Sequence, residues 1–371
     1  MEFTFSEDQD QLRSAVRDLL AREAPPGYVR SMLEDDPVGI TDALWAQLVE
    51  LGWTGLLVPE SCGGLGLGMV DLVVVMEEMG RVPFPGPFLS SAVLATLAAR
   101  GLGLDDRLVS LAAGATRGTV AIDEEGHGDV LDRVRTRASR KSGRWLLNGH
   151  KPIVLDARSA DWLLVVARTQ EGLGTFVIEA PAAVDGLVEA VPTWDLTRRV
   201  GRLELRDVAA QPVGPAGDHT AIWRRVVDDA CIALCAELVG AMEAANDLAV
   251  SYAKARVQFD RPIATFQVIK HKAADMLHRQ ELARVGTHYA AWASDVDDPV
   301  RTEAAAMAKA YVAESANAVT GECIQIHGGV GFTWDCDAHL YYKRAKQNDL
   351  LLGYQGIHRQ RVADSYLSTA G

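Results

Sequence analysis

Three side chains in the stretch Ala253–Lys272, AKARVQFDRPIATFQVIKHK, are of types that can hold a ligand together: the cation Arg256, the ring Phe259 and the amide Gln267. A guanidinium matches phosphate oxygens with its fork of N–H donors. An aromatic ring gives a stacking surface, and an amide both donates and accepts. A phosphorylated, ring-bearing ligand suits this trio. Ordinary contact chemistry at a helix–helix joint suits it too, and the three residues alone leave both readings open. The cysteines give less. All five are scattered, and although Cys231 and Cys235 share a helix face, no His or Cys cluster completes a metal site. They read as core thiols.

The elements that must position the trio follow from the pattern around it. A helical period runs into Ala253, Asp260-Arg261-Pro262 breaks it, and a second helical period starts near Gln267. Cys231, Leu234, Cys235, Leu238, Met242, Ala245, Leu248, Ala249 and Tyr252 form an apolar stripe upstream of the break, and Ile269, Ala273, Met276 and Leu277 start one downstream. A third, Ala-rich helix over Ala304–Val319 and a fourth over Leu340–Leu352 complete a four-helix bundle. The first part of the chain is also helical, with Phe5, Leu12, Val16 and Leu19-Leu20 on one face, then Trp45, Leu48 and Leu51, then Val70–Met79. Between them lies GWTGLLVPESCGGLGLG, whose glycines match no phosphate-loop spacing and read as a tight connection.

The middle of the chain changes character. Val134–Ala138 alternates small or apolar with charged residues, and Arg144–Leu147 reaches an Asn148-Gly149 turn signal. Trp162–Val166 and Thr175–Ile178 read as further strands, and Leu203, Leu205 and Val208 close the region. Short strands with polar turns predict a small antiparallel β-barrel. The expected fold class is therefore mainly α with a small β domain: an N-terminal helical domain over 1–116, a barrel over 117–216 and a C-terminal four-helix bundle over 217–371.

Composition narrows function by exclusion. A formal net charge of −13 repels phosphate backbones, which argues against nucleic acid. The apolar run LVVVM is cut by Glu77-Glu78, so no membrane span is expected, and the acidic start MEFTFSEDQDQ lacks the basic end of a signal peptide. A cytoplasmic protein is the expectation.

Three words of the sequence, in order, carry a resemblance. GWTGLLVPESCGGLGLG with the following MEEMGR, then ARVQFDRPIATFQ, then QIHGGVGFT resemble the signature segments of the acyl-CoA dehydrogenase family. The resemblance implies FAD, a tetramer and α,β-dehydrogenation of an acyl-CoA thioester, with a carboxylate removing the α-proton and the flavin accepting hydride. In that family FAD lies across a subunit interface, and one chain supplies contacts to the adenosine end of its neighbour's cofactor. Residue by residue, those contacts fall here on Arg256, Phe259, Gln267, Gln325, Gly328 and Gly329. The family's glycine after the Phe is Asp260.

The other implied half of the site departs from the family. Its T-E-P-x-x-G-S-D loop becomes Ile122–Asp129, which lacks the hydroxyls and carries acids that disfavour an anionic reduced flavin. Its W-I-T strand becomes Pro152-Ile153-Val154, and its Y-E-G-T-x-Q segment becomes Tyr354–Arg359. The usual catalytic Glu aligns with Gln355, whose amide is no base. The alternative Glu position, on the bundle's first helix, is Ala230. Asp228 matches a family Asp that touches substrate, while Asp229 is turned about 100° from Ala230 and substitutes poorly. His327 reads as packed beside the cofactor, and Asp335 and Asp337 as helix caps.

This uneven match implies a non-catalytic subunit, similar to those of actinobacterial α2β2 acyl-CoA dehydrogenases acting on steroid-derived thioesters. The partners so implied are a catalytic acyl-CoA dehydrogenase subunit, an acyl-CoA in the complex and electron-transfer flavoprotein as acceptor. Two alternatives stand beside it: a homotetrameric dehydrogenase or oxidase with an unusual base, and a flavin-free acyl-CoA-binding scaffold.

Overall fold

The computed structural model of the chain describes residues 6–33 and 36–369, so Phe5 of the first helical face lies outside the described residues. The order is α1 (Glu7–Glu23), α2 (Pro26–Ser31), α3 (Asp42–Glu50), α4 (Met69–Arg81), α5 (Thr96–Leu102), α6 (Asp105–Ala112), β1 (Gly118–Ala121), β2 (Arg137–Lys141), β3 (Arg144–Leu155), β4 (Trp162–Arg168), β5 (Leu173–Glu179), β6 (Val188–Val191) and β7 (Val200–Val213). Then come α7 (Thr220–Ala255), β8 (Val257–Gln258), β9 (Arg261–Pro262), α8 (Gln267–Asp295), α9 (Arg301–His327), α10 (Ala338–Leu350) and α11 (Gln355–Thr369). The chain is mainly α with a small β domain, as its periodicities predict. No helix among the described residues is long and apolar enough to cross a membrane.

Two compact units divide these elements. One comprises residues 1–30, 69–84 and 231–371. Here α1 starts at a capping box in which Ser6 and Gln9 satisfy each other's backbone N–H groups, and buries Val16, Leu19 and Leu20. Helices α4 and α7 cross at glycines. A Cβ on Gly240 would lie 1.8 Å from the Glu77 carbonyl oxygen, and one on Gly80 would lie 1.9 Å from that of Glu237. Only glycine allows this approach. The adjacent acids Glu77 and Glu78 are buried, and arginines and a histidine surround them. Arg17 grips Glu78 with two bonds of 2.9 and 2.7 Å, while His288 Nε2 lies 2.6 Å from Glu77 Oε1. Helices α7 to α10 are the four of the expected bundle, and α11 is a further helix packed on α9.

The other unit comprises residues 31–68 and 85–230. Its Gly-rich segment is the tight connection expected: a Cβ on Gly64 would lie 2.2 Å from the Val58 carbonyl oxygen. Its sheet is mixed, which corrects the antiparallel barrel read from the sequence. Strand β4 runs parallel to β1, pairing Gly118 with Trp162, and pairs in parallel with β2 at Arg137 and Arg168. The pairs β2–β3, β3–β7, β4–β5, β5–β7 and β6–β7 are antiparallel. Side-chain alternation gives the faces of a strand but not its direction. The hairpin turn is also displaced from its sequence signal. Ser142 and Gly143, with φ of 50° and 82°, make the β2–β3 turn, whereas Asn148-Gly149 sits inside β3 at a bulge opposite β7. Gly149 is needed there, since a Cβ would lie 2.4 Å from Thr136 Oγ1. Leu147, Leu163, Val165, Phe176, Leu203 and Leu205 make the core of the sheet.

Candidate cofactor-binding site

The chain between α7 and α8 is a two-residue hairpin, β8 paired with β9, whose tip is Phe259-Asp260. Both tip residues are left-handed, at φ of 52° and 60°. Such a turn matches the twist of its strands, and Asp tolerates the conformation, which explains how it occupies a position that is glycine in the resemblance. A Phe there is a backbone outlier, and outliers of this kind collect at functional sites. Phe259 is also 86% exposed. Its ring meets the edge of Phe266 at 6.1 Å, and the Arg261 guanidinium lies over Phe266 at 4.3 Å. The Arg261 guanidinium is thus held by a ring and not by a carboxylate.

Around this hairpin the structure gathers the predicted residues on one compact unit. Arg256, one residue past the end of α7, is exposed and its guanidinium forms no ion pair among the described residues. Gln267 opens α8 and is exposed. At the end of α9, Gln325 is exposed and Gly328 caps the helix at φ 64°, ψ −145°, a conformation open to glycine alone. A Cβ on Gly328 or Gly329 would meet nothing within 4 Å, so these glycines border open space rather than packed neighbours. The two segments are tied one turn back from their tips: Tyr252 of α7 stacks on His327 of α9 with ring centroids 4.3 Å apart. His327 is buried and its Nδ1 lies 2.7 Å from the Cys323 carbonyl oxygen, so it is packed, as expected. A cation, a strained ring, two amides and a bare backbone thus face outward together, and these suit the phosphates and planar base of a dinucleotide.

The positions that would hold a base hold none. Gln355 begins α11, where its backbone N–H donates to Asp349 Oδ1 at 3.1 Å; its own amide oxygen is buried without a hydrogen-bond partner. Ala230 on α7 is fully buried. Asp228 and Asp229 are buried beside it, and Arg225 sits 4.0 Å from Asp229, one helical turn away. Among the described residues no group of three His, Cys, Asp or Glu could hold a metal ion, and all five cysteines are free and buried.

The flavin-ring segment is closed on itself. Glu124 accepts from the backbone of Arg135 at 2.7 Å and of Thr136 at 3.0 Å, and pairs with Lys151 Nζ at 2.6 Å. Lys151 is fully buried and also donates to the Ile122 carbonyl. Burial pushes its ammonium down to about 8 despite Glu124. Burial works against the Glu124 carboxylate too, but Lys151 and the Thr136 bonds hold it below its ordinary value, so the pair is ionised at neutral pH. Asp123 pairs with Arg133 at 2.8 Å, and Asp129 forms a fork with Arg224 at 2.8 and 2.9 Å. These acids therefore have internal counter-ions and do not confront a flavin as bare charges, which corrects that part of the sequence reading. The absence of hydroxyl donors stands. Nothing in the sequence marked Lys151 as the counter-ion; a lysine between two strand residues reads as exposed.

Comparison with known proteins follows the same outline. Residues 6–101 match the acyl-CoA dehydrogenase N-terminal domain, and residues 221–367 the acyl-CoA dehydrogenase C-terminal domain. The acyl-CoA dehydrogenase IpdE2 of Mycolicibacterium smegmatis is 33% identical over 94% of this chain and 95% of its own. Among solved structures, a variant of the Tcur3481-Tcur3483 steroid ACAD superposes with a TM-score of 0.88 at 31% identity, over 98% of this chain and 99% of its own. The ChsE4-ChsE5 complex from Mycobacterium tuberculosis gives 0.88 at 29% identity, over 99% of both chains. Signature segments, fold and relatives agree, and this chain belongs to the acyl-CoA dehydrogenase family.

Proposed function

We propose that this chain is the non-catalytic subunit of an FAD-dependent acyl-CoA dehydrogenase. It completes the adenosine side of a flavin whose reactive end is held by a catalytic partner. The observation that carries this reading is the contrast at Gln355: an amide stands where the base belongs, while Arg256, Phe259, Gln267, Gln325, Gly328 and Gly329 stay exposed and ready for a ligand. A single chain that bound its own flavin for turnover would need both halves. The bound flavin would accept hydride from the acyl β-carbon. The residues of this chain would neutralise its pyrophosphate through Arg256, cover its adenine with Phe259 and bring the protein backbone close to it at Gly328 and Gly329.

The similarity to chains of the Tcur3481-Tcur3483 steroid ACAD and the ChsE4-ChsE5 complex supports a two-chain α2β2 assembly and a steroid-derived acyl-CoA as substrate of the complex. Asp228 would contact that substrate, electron-transfer flavoprotein would take the electrons, and the assembly would work in the cytoplasm. The three-part division at 116 and 216 remains the proposed domain layout.

The test is expression of this chain alone and together with a catalytic acyl-CoA dehydrogenase chain encoded beside it. The expected result is a colourless inactive chain alone and a yellow, active complex. Within the complex Arg256→Ala lowers FAD content, whereas Gln355→Ala leaves turnover unchanged. A flavinylated, active homotetramer from this chain alone would overturn the proposal in favour of an unusual base. A complex that binds acyl-CoA but never flavin would favour the scaffold reading.

A further inference from the structure

In a chain of net charge −13, the stretch 133–144 reads RVRTRASRKSGR, with six cations and no acid. Arg133 is paired with Asp123. The other five, Arg135, Arg137, Arg140, Lys141 and Arg144, are exposed and form no ion pair among the described residues. The strand register makes this arrangement costly. Lys141 pairs directly with Arg144 across the β2–β3 hairpin, and Arg137 pairs with Arg168 of β4. Like charges directly opposite each other destabilise a sheet. Arg168 spends its guanidinium on the Val134 and Leu131 carbonyls, at 3.0 and 3.2 Å, and so gains no opposing charge. Among the described residues no ion pair neutralises these five cations.

Beside the hairpin lies an open groove of about 880 Å³, within the size range of small-molecule sites. Arg137, Arg140 and Arg168 line it, and Glu171 is the carboxylate on its rim. Trp145 and Phe176, tilted 56° with centroids 5.3 Å apart, form an apolar wall. The far side is rigid. Trp223 Nε1 donates to Thr175 Oγ1 at 2.9 Å, Thr175 Oγ1 lies 2.9 Å from His219 Nδ1, and His219 Nε2 lies 2.7 Å from the Pro215 carbonyl oxygen. All of these residues belong to the same compact unit.

We propose that this groove binds a phosphorylated nucleotide, with the base against Trp145 and the phosphates at Arg140, which lies opposite Trp145 on the same face of the hairpin. An anion there would supply the counter-charge that Arg140 lacks, and the aromatic wall beside the cations fits a planar ring that carries phosphate rather than phosphate alone. None of the groove's lining residues belongs to the proposed flavin-binding face.

Calorimetry on the full chain with ATP, adenosine and tripolyphosphate tests this. ATP is expected to bind, adenosine not to, and tripolyphosphate about tenfold more weakly than ATP. Arg140→Gln with Arg137→Gln should weaken ATP by about tenfold or more while the melting temperature holds or rises, because removing like-charge repulsion is stabilising. Arg256→Ala must leave ATP binding unchanged, which separates this groove from the adenosine side of the flavin face. Equal affinity for ATP and tripolyphosphate would reduce the groove to a cation patch and overturn the proposal. So would polyglutamate displacing ATP at equal charge, which would mark an acidic-peptide surface, or ATP binding that survives the double substitution.

Discussion

Tyr252 and His327 stack at an interplanar angle of 28°, and through that one contact the end of α7 and the end of α9 share a common position. The hairpin that carries Arg256 and Phe259 therefore moves with the turn that carries Gln325 and Gly328. Tyr252→Leu removes the stack at a cost of about 1 kcal/mol. The expected outcome is a small loss in chemical unfolding but a large loss of FAD from the two-chain complex, read by absorbance after gel filtration.

Asp260 is left-handed and carries a carboxylate beside the proposed phosphate-binding face. Asp260→Gly should stabilise the hairpin by less than about 1 kcal/mol, because Asp already tolerates the left-handed turn, and increase FAD retention. A decrease in retention would show that the Asp260 carboxylate contributes to the site.

The Lys151–Glu124 pair lies in the interior of the β unit, with Lys151 fully buried. Lys151→Met leaves an uncompensated carboxylate and should destabilise the protein by on the order of 4 kcal/mol, whereas adding Glu124→Gln should recover most of that loss. Equilibrium unfolding in urea measures both, and equal losses in the single and double variants would mean that charge is not the cause.

Asp156 supplies a pH dependence with a definite sign. Burial pushes its carboxyl up to about 6, against the Ser90 hydroxyl at 2.6 Å and nearby arginines. A carboxyl with a raised folded pKa binds its proton more tightly in the native state, so its contribution is fully present below the unfolded value near 4 and fades as pH rises to about 6. Asp156→Asn removes this dependence. Relative to the parent, it should gain stability between pH 4 and pH 7 by on the order of 3 kcal/mol, measured by unfolding at each pH.

The glycine crossing of α4 and α7 is open to direct test. Gly240→Ala drives a methyl against the Glu77 carbonyl, with no flexible side chain to yield. A loss on the order of 3 kcal/mol is expected. Gly329→Ala, which meets nothing within 4 Å, should leave stability unchanged and affect FAD content alone.

Much of this was legible in the residues themselves. Apolar periodicity located α1, α4 and α7 to α10, because each carries apolar residues at helical spacing, although α4 and much of α9 are buried nearly all round, and the Asp260-Arg261-Pro262 break located the hairpin between α7 and α8. Strand direction was not legible, since β1 and β4 carry the same short apolar runs whether parallel or antiparallel. The turn at Ser142-Gly143 was missed because Asn148-Gly149 carries the stronger turn signal, which tertiary packing turned into a bulge against Thr136. The candidate residues Arg256, Phe259, Gln267, Gln325, Gly328 and Gly329 could be named from their words alone, and the fold leaves them exposed on one unit. The self-sufficiency of the ring segment could not, because Lys151, Arg133 and Arg224 reach Glu124, Asp123 and Asp129 from positions that no local pattern links to them.

The left-handed Phe259 bears on how fast an assembly forms. Its hairpin is built before any ligand or subunit arrives, with the ring fixed against Phe266 and largely bare. In the proposed assembly no segment of this hairpin would need to order itself at the moment of encounter, so association at this face would be a collision of finished surfaces. Its rate would then be governed by orientation and charge, and would vary with ionic strength more than with temperature-driven rearrangement.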